Sequence, residues 1–226
     1  MSDTKKKNSR LILILFLAVF LIGGIGVLVS ASKSKHANPA YAIPTDLDID
    51  GTVLDKARVL SQFDLTDYDG KEFSKDSLKG HWTMMFFGFT NCGYVCPTTL
   101  SALNKMYGNL KAQLPMNLLP QIVMVSVDPA RDSVARMKSY VQSFNPTFVG
   151  LRGSMAQTKM LAQQMSVVFV KVQMGESGNY SVNHSAEIML LDPNGNLRAF
   201  MSYPHKAQQM LHDYEEIIKS VNRQHG

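Results

Sequence analysis

Trp82-Thr83-Met84-Met85-Phe86-Phe87-Gly88-Phe89-Thr90-Asn91-Cys92-Gly93-Tyr94-Val95-Cys96-Pro97 decides how the rest of the chain is read. Its first eight residues are almost continuously apolar, the pattern of a strand buried on both faces. Pro97 suits the first position of a helix, where a missing N–H costs nothing. It also disfavours the α region for Cys96. The stretch therefore reads as strand, cysteine-bearing turn and helix, with both cysteines on the turn and not on the helix. Backbone N–H groups at a helix start favour thiolate over thiol. At least one of the two sulfurs is expected to be more acidic than a free cysteine.

Outward from this unit, strand and helix alternate. Leu100, Leu103, Tyr107, Leu110 and Leu114 recur at helical spacing. Ile122–Val127 is a second buried strand, closed by Asp128-Pro129, and Val134, Met137, Val141 and Phe144 mark the helix behind it. Thr147–Leu151 and a helix near Ser154–Met165 follow, then Val167–Met174 as a third clear strand. Ile188–Leu191 and Leu197–Met201 flank Asp192-Pro193-Asn194-Gly195-Asn196, whose Asn-Gly is a hairpin signal. A last helix opens at Pro204. Upstream, Arg58–Leu65 and Lys71–Phe73 flank the turn Asp67-Tyr68-Asp69-Gly70. Two βα units, a hairpin and a closing helix imply an α/β sheet, parallel in part and antiparallel at one end. That is the ground plan of a thioredoxin-like domain.

The chain has 226 residues, room for one domain and something extra. Leu11–Val29 carries no charge and follows Lys5, Lys6, Lys7 and Arg10. At about 1.5 Å per residue it reaches roughly 28 Å, close to the hydrocarbon thickness of a bilayer. It reads as a retained single transmembrane helix, longer than the apolar core of a secretory signal. The basic cluster places the N-terminus inside and the remainder across the membrane. In a bacterium that is the inner membrane with the domain in the periplasm; in a mitochondrion, the inner membrane facing the intermembrane space. Residues 1–31 are thus read as basic segment and anchor, 32–56 as a polar tether, and 57–226 as the thioredoxin-like domain. The net charge of +5 comes entirely from residues 1–36; the remainder has seventeen residues of each sign. A neutral domain without a basic stripe makes a poor nucleic-acid binder.

Cys92 and Cys96 are the only cysteines. As a structural staple they would close a tiny loop and add little, because the stabilisation shrinks with loop length. As a redox pair they fit a strand–turn–helix unit, with three intervening residues where two are usual. As a metal pair, two thiolates select a soft ion, for which copper(I) is the natural candidate; structural zinc would want four ligands. His184, in Tyr180-Ser181-Val182-Asn183-His184-Ser185, stands out as a third ligand. If the next strand, Ala186–Leu191, runs antiparallel to the two βα strands, it begins at the end that carries the cysteines and Asp128. His36, His81, His205, His212 and His225 are placed elsewhere or in solvent. Of the fourteen methionines, Met84, Met85, Met124 and Met189 fall within strand patterns and Met106, Met137, Met160 and Met210 within helices, and core packing explains them.

Gly88-Phe89-Thr90-Asn91-Cys92…Cys96-Pro97, Val125-Ser126-Val127-Asp128-Pro129-Ala130-Arg131-Asp132, Tyr180–Ser185 and Leu191-Asp192-Pro193-Asn194-Gly195 together resemble the Sco/SenC copper chaperones. The resemblance covers roughly Val59 to Val221. It implies a thioredoxin-like domain that binds copper through Cys92, Cys96 and His184. It also implies a part in assembling the dinuclear copper site of cytochrome c oxidase, by delivering copper or by reducing the target's cysteines. The implied partner is the copper-site subunit of the oxidase, or another copper or thiol protein. Asp128, Arg131 and Asp132 match the family's motif beside the site, where helix capping and loop pinning are their expected roles. Two departures stand out. Gly93-Tyr94-Val95 replaces a segment that commonly holds Pro and an acidic residue, and Asn183 replaces an Asp. Both remove negative charge near a cation, which weakens copper(II) more than copper(I) and keeps thiolates open to exchange. A thiol–disulfide oxidoreductase, with Cys92 and Cys96 as its catalytic pair, is the alternative; a peroxidase ranks behind it.

Overall fold

The computed structural model describes residues 47–175 and 179–223. The anchor read at Leu11–Val29 lies outside them. Among the described residues no helix is long and apolar enough to cross a membrane.

Three strands form a parallel centre: β4 (Thr83–Gly88), β5 (Gln121–Ser126) and β6 (Val149–Arg152). β9 (Ile188–Leu191) runs antiparallel to β4, and β10 (Asn196–Met201) and β1 (Thr52–Val59) continue the sheet outward. On the other flank β2 (Asp64–Asp67) pairs antiparallel with β6, and β3 (Glu72–Ser74) pairs with β2. The sheet is therefore antiparallel at both ends and not at one. The entry segment read from Arg58 to Leu65 divides, its start joining β10 and its end joining β6.

Every residue of β4 is buried, because helices cover both faces. Met84 and Phe86 point to one side, with Leu100, Leu103, Tyr214 and Ile217. Met85 and Phe87 point to the other, with Leu161, Ala162 and Met165, as the two-residue period of a strand requires. The first side is covered by α1 (Val95–Gln113), α2 (Val134–Gln142) and α4 (Ala207–Arg223), the second by α3 (Met155–Gln164). Met84, Met85, Met106, Met124, Met137, Met189 and Met210 are all buried, as core packing predicts, and Met160 is partly buried against the second side. Leu47 and Ile49 also pack on the first side, where the Asp213 carboxylate accepts the backbone N–H groups of Asp50 and Gly51.

The run Val167–Met174 leaves the main sheet. Its strand, β7 (Phe169–Gln173), pairs antiparallel with β8 (Tyr180–His184) in a separate two-stranded ribbon. β8 has no counterpart in the sequence reading, for its residues alternate weakly and only Val182 is buried.

One buried ion pair fixes the β9–β10 turn. Asp192 accepts the N–H groups of Asn194 and Asn196 through one oxygen, and Arg198 Nε at 2.7 Å through the other. Both side chains are almost fully buried. Removing one partner leaves an uncompensated buried charge, a loss of about 3–5 kcal/mol. Asp192→Ala is expected to lower the unfolding free energy by about 3 kcal/mol, read from the midpoint of a urea transition with unchanged slope.

Candidate metal centre

The carboxyl ends of β4 and β5 and the amino end of β9 meet at one edge. Ile188 of β9 lies opposite Phe86 of β4, so the residues just before β9 stand beside those just after β4. Cys92, Cys96 and His184 converge there. Their two sulfurs and one imidazole nitrogen all lie within 4.8 Å of one another. Metal bonds of about 2.0–2.3 Å separate two ligands of one ion by up to about 4.6 Å, so the group fits a shared ion with little movement.

Helix α1 begins at Val95, which puts Cys96 inside its first turn and corrects the placement of both cysteines on the preceding turn. The first N–H groups of a helix have no partner within it, so Pro97 is tolerated two residues into the helix as well as at its first position. Tyr94 at the cap offers no side-chain acceptor. The sulfur of Cys92 supplies one, accepting the Cys96 N–H at 3.3 Å. Both cysteines are free thiols, Cys92 half-buried and Cys96 buried.

The two sulfurs differ in acidity. A hydrogen bond from the Cys96 thiol is the largest influence on Cys92; burial opposes it, and His184 and backbone N–H groups reinforce it, holding Cys92 down to about 3. Cys96 is pushed up, first by donating that hydrogen bond, then by burial and by the charge on Cys92. Burial works to lower the pKa of His184, but its hydrogen bonds to Cys92 and to the Ser185 carbonyl outweigh this and raise it. Nδ1 of His184 lies 2.7 Å from the Ser185 carbonyl oxygen. That oxygen can only accept, so Nδ1 carries the proton. In the neutral ring the lone pair then sits on Nε2, which faces Cys96 Sγ at 3.7 Å. The other described histidines are engaged elsewhere: His205 between Thr99 and the Met201 carbonyl, His81 with Gln121, and His212 with the Asp48 carbonyl. His36 and His225 lie outside the described residues.

The SCO1/SenC family model matches residues 52–219. The chain belongs to that family. A Stutzerimonas stutzeri protein whose name describes copper binding is 38% identical over 166 residues, an alignment covering 74% of this chain and 80% of that one. The mouse mitochondrial SCO2 homologue is 35% identical over 161 residues, 71% of this chain and 60% of the mouse protein. The crystal structure of Arabidopsis thaliana ScoI with copper bound superposes with a TM-score of 0.64 at 31% identity, covering 72% of this chain and 98% of that one. The mixed α/β, thioredoxin-like arrangement is thus that of the Sco proteins.

In this Sco chain several supporting residues escaped the sequence reading. Gly88 ends β4 directly beneath Cys96: a Cβ there would lie 2.8 Å from Cys96 Sγ and 3.2 Å from Met124 Cε. Phe89 packs edge-on against the His184 ring, centroids 5.9 Å apart. Tyr180 could have been found from strand periodicity, because Tyr180, Val182 and His184 fall on one face of β8. Asp132 does not cap a helix; Ser133 caps α2. Fully buried Asp132 instead accepts from Thr90 N–H, Thr90 Oγ1 and Ser126 Oγ, tying the cysteine loop to the end of β5.

The acidity difference predicts selective alkylation. With Cys92 at about 3, its thiolate is fully formed above about pH 4. Iodoacetamide is expected to label Cys92 at a rate independent of pH from 5 to 8 and to leave Cys96 unlabelled until the protein unfolds, as mapped by mass spectrometry.

Proposed function

We propose that this protein is a membrane-anchored copper chaperone. It carries copper on Cys92, Cys96 and His184 and assists assembly of the dinuclear copper site of cytochrome c oxidase. One observation carries the reading: two sulfurs and an imidazole nitrogen with its lone pair inward, gathered within 4.8 Å. Thiolate sulfur and imidazole select a soft ion of low coordination number, and copper(I) meets that description. The copper-bound structure of the Arabidopsis relative supports the same cargo. Three ligands are few enough to exchange, and His184 and Cys92 are only partly buried, so an acceptor's sulfurs can replace them one at a time. The acceptor is the copper-site subunit of the oxidase or another copper or thiol protein. The charge pattern around Leu11–Val29 supports an anchor in the inner membrane, with the domain in the periplasm or the intermembrane space.

A second reading rests on the unequal sulfurs. A half-exposed thiolate at Cys92 beside a buried thiol at Cys96 suits attack on a partner disulfide. Cys92 would form a mixed disulfide and Cys96 would resolve it. The partner leaves with two thiols and this chain with one disulfide. His184 has no bond to make in that sequence.

His184→Ala separates the two. For a carrier, copper(I) affinity is expected to fall by more than the roughly 100-fold typical of an outer-shell change, while both thiols still titrate. Unchanged affinity would end the carrier account. Copper loading is also expected to release a proton from Cys96, and a second from His184 once the pH drops below the titration of His184, which lies above that of a free imidazole. Affinity therefore falls with acidification, and calorimetry in buffers of different ionisation enthalpy counts the protons.

A further inference from the structure

His184 is carried by a ribbon that the main sheet does not hold. β7 and β8 pair only with each other, and β7 is exposed along most of its length, with Val170, and Val168 just before it, more than half exposed. Of β8, only Val182 is buried in the core; Tyr180, and Phe169 of β7, pack against it while still partly exposed. Strand pairing within the ribbon keeps its shape but does not fix where the ribbon sits.

A cluster beyond β5 supplies that grip, all of it directed at Tyr180, the first residue of β8. Arg131 Nη1 donates to the Tyr180 carbonyl at 3.0 Å. The guanidinium lies 3.7 Å from the centroid of the Tyr180 ring. Arg131 Nε is bonded to one oxygen of Asp128, and the Tyr180 hydroxyl donates to the other at 2.8 Å. Tyr180 is thus held by its backbone, its ring face and its hydroxyl. Asp128 is almost fully buried, so the far end of the clamp is anchored in the domain. Arg131 Nη2 is buried with no acceptor; the guanidinium is placed for the ring, not for its own full set of hydrogen bonds. Four residues of strand, about 13 Å, connect the gripped end to His184 on the same face. Phe89 closes the circuit, its ring 5.8 Å from the guanidinium carbon and edge-on to the imidazole.

We propose that Asp128, Arg131 and Tyr180 are positioning residues: a clamp that sets where His184 stands relative to the two sulfurs. The inference rests on the carrier reading for the role of His184 as ligand. None of the three is among the atoms gathered at the centre, so their influence passes through the strand.

The test is a double-mutant cycle on the full chain, with copper(I) as the probe. Arg131→Met is expected to weaken copper(I) binding about tenfold, and X-ray absorption should show the ion passing from three-coordinate to two-coordinate. In the metal-free protein, amide exchange in β7 and β8 should quicken while β4 and β5 stay protected. His184→Ala with Arg131→Met should bind copper(I) no more weakly than His184→Ala alone. Additive losses, or a ribbon whose exchange does not change, would overturn the clamp. Should Arg131→Met not fold, Tyr180→Phe removes a single hydrogen bond and is expected to cost about threefold, again non-additively. If His184→Ala alone leaves copper(I) affinity intact, the carrier reading fails, and ribbon exchange still decides whether the clamp holds the strand.

Discussion

The pairing of β9 against β4 governs this molecule. A strand that finishes at Gly88 and one that starts at Ile188 lie side by side in opposite directions. Residues nearly a hundred positions apart are thereby delivered to the same edge. Turned the other way, β9 would send His184 to the far end of the sheet, near His81. The turn from β9 to β10 is held by one buried carboxylate, Asp192, and its guanidinium partner. That ion pair lies at the opposite end of β9 from the site.

Within the site, local chemistry sorts two identical side chains into different states. Cys92 accepts an N–H at the start of α1 and a hydrogen bond from its neighbour, so it holds negative charge. Cys96 lies deeper, against β4, and keeps its proton. A soft cation arriving here meets one sulfur already ionised, one whose proton it must displace, and an imidazole nitrogen that in the neutral ring offers its lone pair. No carboxylate belongs to the cluster, and Asn183 and Gly93-Tyr94-Val95 add no charge. Within the ligand set the negative charge sits on sulfur, which favours an ion that prefers sulfur.

Much of this was legible in residue order. β4 and β5 announced themselves as unbroken apolar runs, the helices by periodic leucines, and the β9–β10 turn by Asn194-Gly195. The direction argument that singled out His184 needed only the hairpin and the βα units. What escaped has physical causes. β8 is a short, polar-alternating strand stabilised by β7 and by contacts to a distant loop, and no local pattern encodes those. The pairing of β2 with β6 joins segments more than eighty residues apart, and short edge strands carry little signal of their own. The start of α1 was misplaced because proline is tolerated throughout a helix's first turn. Of the capping and loop-pinning roles expected for Asp132, pinning is the one it fills, through hydrogen bonds that reach back to Thr90 and Ser126 and that no local pattern encodes.

The absence of a side chain at Gly88 has a further consequence. A sulfur can rest on the sheet only where the strand beneath it presents bare backbone, and a single methyl there would occupy the space that Cys96 fills. Grafting this constellation onto another scaffold of the same shape therefore requires more than two cysteines and a histidine at matching heights. The recipient strand must also end in glycine, or the second sulfur will be lifted out of reach of the imidazole.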